Sequence, residues 1–345
     1  MTQLVELQEA LPKFEAAGLK LYAVSYDDPD ALAEFARHHD ITYPLLSDKG
    51  SKVIRSYGIQ NQFVTKEQIP YYGIPFPGSY LVDEAGIVIE KFFSRGLAAR
   101  ESAESVIDSA LGEILLGDDE PTDTGGDEEI RISATYHGGG GNLKSAVIRQ
   151  LVVRFELAPG LHIYDDPVPP GMVATRIEVS GPPGLNTNDV VKLPTKNLKL
   201  PGVDTELHVW EGRVDFAIPV WADDRIAGLI NESEFDEIDI EVKIDYQACD
   251  DQACRIPQSE TLTVKVPIAP YLGHDLPGDL SGAVMTTMDT RKYMMRMVRR
   301  GLLRSPIKGF KYMKESMEHL RKGPARKRKR PTTPTTGDGD APEAP

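Results

Sequence analysis

The sequence predicts an α/β domain, an all-β domain and a basic carboxy-terminal tail, in that order along 345 residues. In the first third of the chain, short β-type runs alternate with apolar residues at helical spacing. Between about 130 and 270, β-type runs follow one another across Pro, Gly and Asn turns, with no convincing helix. Alternating helices and strands are typical of a layered α/β domain, and strands alone are typical of an antiparallel sandwich.

The α/β domain is predicted over residues 1–116 and begins with a helix. Its apolar residues recur at helical spacing: Leu4, Leu7, Leu11 and Phe14. The run LKLYAVSY (19–26) predicts a strand, and Asp28-Pro29 then supplies an N-cap and a first-turn proline for a second helix. The segment TYPLLSD (42–48) predicts another strand, and SKVIRSYGI (51–59) a short helix.

The same domain is predicted to end with a hairpin and a helix. GSYLVDEAGIVIEKFF (78–93) places two β-rich runs around a turn, and RESAESVIDSALGEILL (100–116) has the period of an amphipathic helix. GDDEPTDTGGDEE (117–129) has no apolar period, which predicts an acidic linker.

The all-β domain is predicted over residues 130–270. Five segments read as strands: 146–157, 174–181, 206–221, 238–248 and 260–269. Their number and spacing favour a sandwich of roughly immunoglobulin size. YHGGGGN (136–142) lacks the partner motifs of an oxyanion or phosphate loop and predicts a flexible hairpin loop.

Charge is distributed unevenly along the chain. The formal net charge is −14, yet residues 291–330 hold 16 lysines and arginines against two glutamates, so this segment is near +14 and the rest near −28. The tail, residues 271–345, is therefore the part with the charge to contact an anionic surface, although a tail that is solvated or screened by the acidic body is favoured. It carries no nucleic-acid motif, so no specific nucleic-acid partner is expected. Its Met-rich part predicts short helices and its end predicts disorder.

The sequence also bears on the compartment. No apolar run approaches the roughly 20 residues of a membrane span. The first residues, MTQLVELQEALPKFEAAG, place acidic side chains where a signal peptide has basic and unbroken apolar ones. As the sequence begins, a cytoplasmic protein is expected. An extracytoplasmic location is the alternative if further residues precede Met1.

The two cysteines, Cys249 and Cys254 in DYQACDDQACRIPQ (245–258), allow three interpretations. A static disulfide closing a ring of about six residues would stabilise the domain by only about 2 kcal/mol through the unfolded chain. A metal site needs three or four ligands, and no His or Cys pair stands at a suitable spacing. A redox-active pair is the third interpretation. Asp250 and Asp251 beside the sulfurs argue against a hyper-reactive thiolate.

The amino-terminal segment resembles the AhpC/TSA (peroxiredoxin) branch of the thioredoxin fold over residues 3–95. The resemblance rests on QLVELQEAL, YAVSYDDP, YPLLSD and PGSYLVDEAG. It implies a thioredoxin-like fold and antioxidant-type thiol chemistry, without a cofactor. That chemistry needs a peroxidatic cysteine in the first turn of the helix that QLVELQEAL continues, where the helix N-terminus favours a thiolate.

Residues 1–116 contain no cysteine, and the family's peroxidatic position falls before Met1. Either residues upstream of Met1 supply that cysteine, or the domain is a non-catalytic relative. A peroxide is therefore a substrate only under the first alternative.

The segment around the cysteines, with LHIYDDPVPPGMVATRIEVSGPPGL (161–185), resembles the amino-terminal domain of the thiol:disulfide interchange protein DsbD family over about residues 130–269. The family pattern Tyr-Gln-x-Cys…Cys-x-x-Pro falls on five positions: Tyr246, Gln247, Cys249, Cys254 and Pro257. The resemblance implies an immunoglobulin-like sandwich whose cysteine pair cycles between disulfide and dithiol, with the other three residues in supporting roles. It also implies a redox partner protein, and neither cofactor nor metal.

The predicted function is therefore that of a thiol–disulfide oxidoreductase of the AhpC/TSA class with its redox pair in the second domain. The alternative is a non-catalytic binding or scaffolding module with a structural disulfide. The sequence does not indicate the electron donor, the cysteine that is attacked, or the oligomeric state.

Overall fold

A computed structural model of the protein describes residues 2–64, 72–93, 100–144, 147–199, 206–223, 226, 237–250 and 252–268. By their contacts, Met1–Asn61 and Gly73–Met288 form one unit, to which all the features below belong. The predicted basic tail, residues 271–345, lies outside the described residues. No helix among the described residues is long and apolar enough to cross a membrane.

The amino-terminal segment alternates helices and strands, as predicted. Its elements are α1 (Thr2–Glu9), α2 (Leu11–Ala16), β1 (Ala23–Ser25), α3 (Pro29–His38), β2 (Leu45–Ser47), α4 (Lys52–Ser56), β3 (Ser79–Val82), β4 (Val88–Phe92), β5 (Arg100–Glu101) and α5 (Ala103–Leu111). The first predicted helix is two helices, because Pro12 in the first turn of α2 has no N–H to continue the hydrogen-bond ladder of α1. Strands β1 and β2 pair in parallel.

The hairpin and the last helix of this segment are confirmed. Strands β3 and β4 pair antiparallel, and the Asp83 carboxylate accepts backbone hydrogen bonds from Ala85 and Ile87 in the turn. Helix α5 is capped by the Ser102 hydroxyl, which accepts from the Ser105 N–H. A small core joins α2 to α5 through buried side chains: Ala10, Phe14, Ala103 and Ile107.

The rest of the described chain is built of strands. They are β6 (Thr122–Gly126), β7 (Ile130–His137), β8 (Val147–Leu157), β9 (His162–Asp165), β10 (Arg176–Ser180), β11 (Leu185–Thr187), β12 (Val191–Lys192), β13 (Lys196–Leu198), β14 (Leu207–Glu211), β15 (Arg213–Ala222), β16 (Glu237–Tyr246), β17 (Ala248–Cys249) and β18 (Gln258–Pro267). All five strand segments predicted from alternation contain strands. The segment 206–221 contains two strands, β14 and β15, which belong to different sheets and are separated by Gly212 with φ +68°.

Sheet order places the core between two main sheets. One sheet runs β11-β15-β8-β7-β6, and the other runs β10-β16-β18. A third sheet, β13-β14-β9-β17, carries the cysteine-bearing strand β17. Aromatic rings meet edge-on in the core, with Phe155 at 5.8 Å from Phe216 and 5.3 Å from Tyr246, and Trp210 at 4.9 Å from Phe216 between ring centroids.

The segment expected to be an acidic linker contains β6, which pairs antiparallel with β7. The sequence TDTGG gives no apolar signal because β6 ends its sheet and its side chains are half-buried or exposed. The strand is held by backbone pairing and by the Asp123 carboxylate, which accepts the Thr263 N–H at 2.7 Å. The domain limits 1–116, 117–129 and 130–270 stay a prediction.

A buried ionic cluster joins the amino-terminal helices to the sandwich. The Arg149 guanidinium of β8, with no exposed surface, donates to Glu6 of α1 at 2.5 Å and to Glu104 of α5 at 3.5 Å. Glu104 also accepts from Lys13 at 2.7 Å and from the Gly139 N–H at 3.1 Å. Burial raises the pKa of Glu104, but Lys13, Gly139 and Arg149 outweigh it and hold the pKa at about 2.

The glycine-rich run lies in the loop that joins the antiparallel strands β7 and β8, as predicted, and it packs against this cluster. Gly139 has φ +58°, and a Cβ there would lie 2.0 Å from Arg149 Nη2. Next to it, buried His137 contacts Asp108 at 2.9 Å through Nε2 and Glu120 at 2.8 Å through Nδ1. Burial lowers the pKa of His137, but the two carboxylates outweigh burial and raise it to about 9.

Candidate functional site

The two cysteines form a disulfide at the edge of the sheet β13-β14-β9-β17. Cys249 and Cys254 face each other as an antiparallel bridge, with their Cα atoms 4.0 Å apart. Cys249 ends β17, where it lies opposite His162 of β9. Backbone hydrogen bonds close the loop on both sides: Asp250 N–H to Ala253 O at 3.0 Å and Arg255 N–H to Ala248 O at 2.9 Å.

The two sulfurs lie in different surroundings. Cys249 is only 1% exposed and packs in a small apolar cluster with Tyr164, Leu207 and Val209. Cys254 is exposed. A thiolate of another protein can therefore approach Cys254, whereas Cys249 lies behind it.

Charged residues around the loop are held by specific contacts. The Asp250 carboxylate accepts the N–H groups of Ala253 at 2.7 Å and Gln252 at 2.8 Å, and these bonds lower the pKa of Asp250. Arg255 forms ion pairs with Asp127, at 3.4 Å, and with Glu129 in the turn after β6. The carboxylate of Asp250 is thus engaged in shaping the turn; Asp251 lies outside the described residues.

The predicted supporting residues take up different positions. Gln247 is buried and bridges two segments: its Oε1 accepts the Val173 N–H and its Nε2 donates to Arg255 O, both at 2.9 Å. Tyr246 is 2% exposed and its ring packs on Phe155 in the core. Burial, with the charges of Glu260 and Asp127, raises the pKa of Tyr246 to about 12.

Pro257 is exposed and directly precedes β18, two residues after Arg255. Gln247 thus holds the segment that carries Cys254, while Tyr246 anchors the end of β16. The catalytic and supporting roles predicted for these residues stay predictions.

Two functional candidates were missed by sequence reasoning. His162 and Tyr164 stand two apart on β9, so their side chains share one face, and both are buried. His162 Nε2 lies 2.8 Å from the Tyr164 hydroxyl, which lies 4.0 Å from Cys254 Sγ. Their alternation in LHIYDD was a visible signal, but nothing in the sequence alone places β9 beside β17.

A metal site at the two cysteines would need both of them as free thiolates. Both sulfurs are bonded to each other, so neither is a thiolate ligand. Among the described residues, no group of three or more His, Cys, Asp or Glu side chains could hold a metal ion.

Family comparisons match two separate parts of the chain. Residues 1–91 match the family model described as AhpC/TSA family, and residues 145–266 match that of Thiol:disulfide interchange protein DsbD, N-terminal. The chain therefore carries one segment similar to each of these two families. Both predicted resemblances are confirmed, as is the order of a thioredoxin-like segment followed by an immunoglobulin-like sandwich. The disulfide lies in the DsbD-type segment.

Curated relatives match the amino-terminal part. Thiol-disulfide oxidoreductase ResA of Bacillus thuringiensis subsp. konkukian is 28% identical over 102 residues, covering 29% of this chain and 50% of the relative. Chloroplastic peroxiredoxin Q of Gentiana triflora is 29% identical over 86 residues, covering 25% of this chain and 36% of the relative. The chain thus spans half or less of the length of these relatives.

Solved structures match part of the chain at low identity. The N-terminal periplasmic domain of ScsB from Proteus mirabilis shares 16% identity with a TM-score of 0.30, over 42% of this chain and 51% of that one.

Proposed function

We propose that this protein is a thiol–disulfide oxidoreductase whose Cys249–Cys254 couple exchanges electrons with a partner protein that carries a reactive dithiol. The observation that carries the proposal is the unequal exposure of the two cysteine residues within a segment similar to the DsbD N-terminal family. A purely structural bond does not require either sulfur to be accessible. Exchange with another protein requires one that is.

In the proposed reaction, a partner thiolate attacks Cys254 Sγ, because that sulfur is the accessible one. The Cys249–Cys254 bond breaks and its electron pair leaves on Cys249. The partner's second thiolate then attacks the first partner sulfur, and Cys254 departs with the second electron pair. The partner ends as a disulfide, this chain ends as a dithiol, and the two protons lost by the partner balance the two gained here.

Two further assignments belong to the proposal. A disulfide that opens and closes in this way is expected in an oxidising compartment, which favours an extracytoplasmic location. Peroxide reduction is not assigned to residues 1–116, which hold no cysteine. It is expected only if a peroxidatic cysteine is supplied from outside these residues. The AhpC/TSA-type segment is proposed to act beside the redox pair, and anionic contacts of the tail stay a prediction.

The test uses the full chain with Cys249→Ser and Cys254→Ser. The bait is a thioredoxin-type protein with Cys-x-x-Ser, activated as its thionitrobenzoate adduct. We expect the Cys249→Ser variant to release thionitrobenzoate and form a mixed disulfide through Cys254, and the Cys254→Ser variant to react at least tenfold more slowly. The double variant is the control for background release.

Two results would count against the proposal. Equal, slow reaction of both single variants indicates that neither sulfur is accessible. A reduction potential of the wild-type pair below about −300 mV identifies a permanent bond, which would leave the binding or scaffolding alternative.

A further inference from the structure

The buried pair His162–Tyr164 reaches the sulfur of the exposed residue Cys254. The Tyr164 hydroxyl has one hydrogen and two neighbours: His162 Nε2 at 2.8 Å and Cys254 Sγ at 4.0 Å. A disulfide sulfur carries no hydrogen, so in the Tyr164–Cys254 contact only the tyrosine can donate. When the tyrosine donates to sulfur, the bond to His162 runs the other way, with Nε2–H of the ring donating to the tyrosine oxygen.

The direction of these two hydrogen bonds matters because negative charge develops on the Cys254 sulfur during exchange. We propose that Tyr164 is a catalytic residue that donates a hydrogen bond to the Cys254 thiolate as it leaves the mixed disulfide, and that His162 is a positioning residue that fixes the donor direction. This inference rests on the proposed function. A hydrogen bond to the charged form of a group favours that form, so the tyrosine makes Cys254 a better leaving group.

The surroundings suit a donor of this kind. Tyr164 has no exposed surface and His162 is 3% exposed, so water does not compete strongly for the hydroxyl. Burial raises the pKa of Tyr164, so the hydroxyl keeps its proton at neutral pH. Two charged side chains of the described part of this loop are held by other contacts: Asp250 is bound to the turn backbone, and Arg255 is paired with Asp127 and Glu129.

The reaction of reduced Cys254 with iodoacetamide across a pH series tests the inference, with mass spectrometry reporting the modified cysteine. In Tyr164→Phe, we expect the pH at half-maximal alkylation of Cys254 to rise by about one unit. His162→Leu should produce a similar shift. His162→Gln, whose amide can also donate, should restore most of the wild-type profile.

Tyr43→Phe is the matched control, because Tyr43 is also buried and its hydroxyl donates to Leu4 O at 2.9 Å in the amino-terminal segment. Its profile should match the wild type. The inference is overturned if the alkylation profiles of the wild type, Tyr164→Phe and His162→Leu coincide. The proposed function is overturned if the wild type exchanges no disulfide with the partner. If Tyr164→Phe does not fold, the contrast between His162→Leu and His162→Gln decides.

Discussion

Replacing Arg149 with Met removes the cation at the centre of the buried ionic cluster. Arg149 is fully buried, and the side chains of Glu6 and Glu104 that it contacts are each 8% exposed. Breaking a buried ion pair costs about 3–5 kcal/mol, because the remaining charge is left without its partner. Glu104 keeps Lys13, so we expect the lower end of this range, about 3 kcal/mol. For a unit of this size the melting temperature should fall by about 6–12 °C.

Urea unfolding followed by the fluorescence of the two tryptophans, buried Trp210 and half-buried Trp221, measures this loss. Arg131→Met is the matched control: Arg131 lies on the neighbouring strand β7 and pairs with Glu156 at 2.9 Å, but 71% of its side chain is exposed. The control should cost less than about 1 kcal/mol. Adding Glu6→Gln to Arg149→Met should recover part of the loss. Equal costs for the two arginine variants would refute the reasoning.

Three further predictions concern stability. Folding raises the pKa of His137 from 6.5 to about 9, so protonated His137 should contribute about 3 kcal/mol to the free energy of unfolding. This contribution should be complete below pH 6.5 and lost as the pH rises to 9. Urea unfolding from pH 6 to 10 tests this, and His137→Gln should remove the pH dependence. Gly139→Ala should lower the free energy of unfolding by more than about 2 kcal/mol, whereas Gly160→Ala, at φ +89° with nothing within 4 Å of a Cβ, should show only backbone strain of about 1–2 kcal/mol. Gln247→Leu should cost about 1–3 kcal/mol, since it leaves Val173 N–H without its acceptor; an unchanged unfolding midpoint would contradict this bridging role.

The sandwich strands could be predicted because their burial follows a simple alternation. In β16 the side chains of Ile240, Val242 and Ile244 point into the core and the residues between them do not. A period of two in apolar residues carries that information in the sequence itself. Strand β6 could not be found in this way, since an edge strand of Thr, Asp and Gly buries little apolar surface.

The ionic cluster shows a different limit of sequence reasoning. Glu6, Glu104 and Arg149 are far apart in the chain and look like ordinary surface charges there. The packing of α1 and α5 against β8 buries them together, and once buried they must be paired. The glycines beside them have positive φ values and leave room for the guanidinium, so a run that suggested flexibility is a closely packed loop.

The sequence by itself determined the order of the two family segments, the strand pattern of the sandwich and the identity of the two sulfurs. Those features depend on residue type and local spacing, which can be read directly from the sequence. Only the tertiary structure decided that Cys249 is buried and Cys254 exposed, and that His162 and Tyr164 stand beside them. Exposure and long-range contact arise when β9 pairs with β17, and that pairing is a property of the folded sheet.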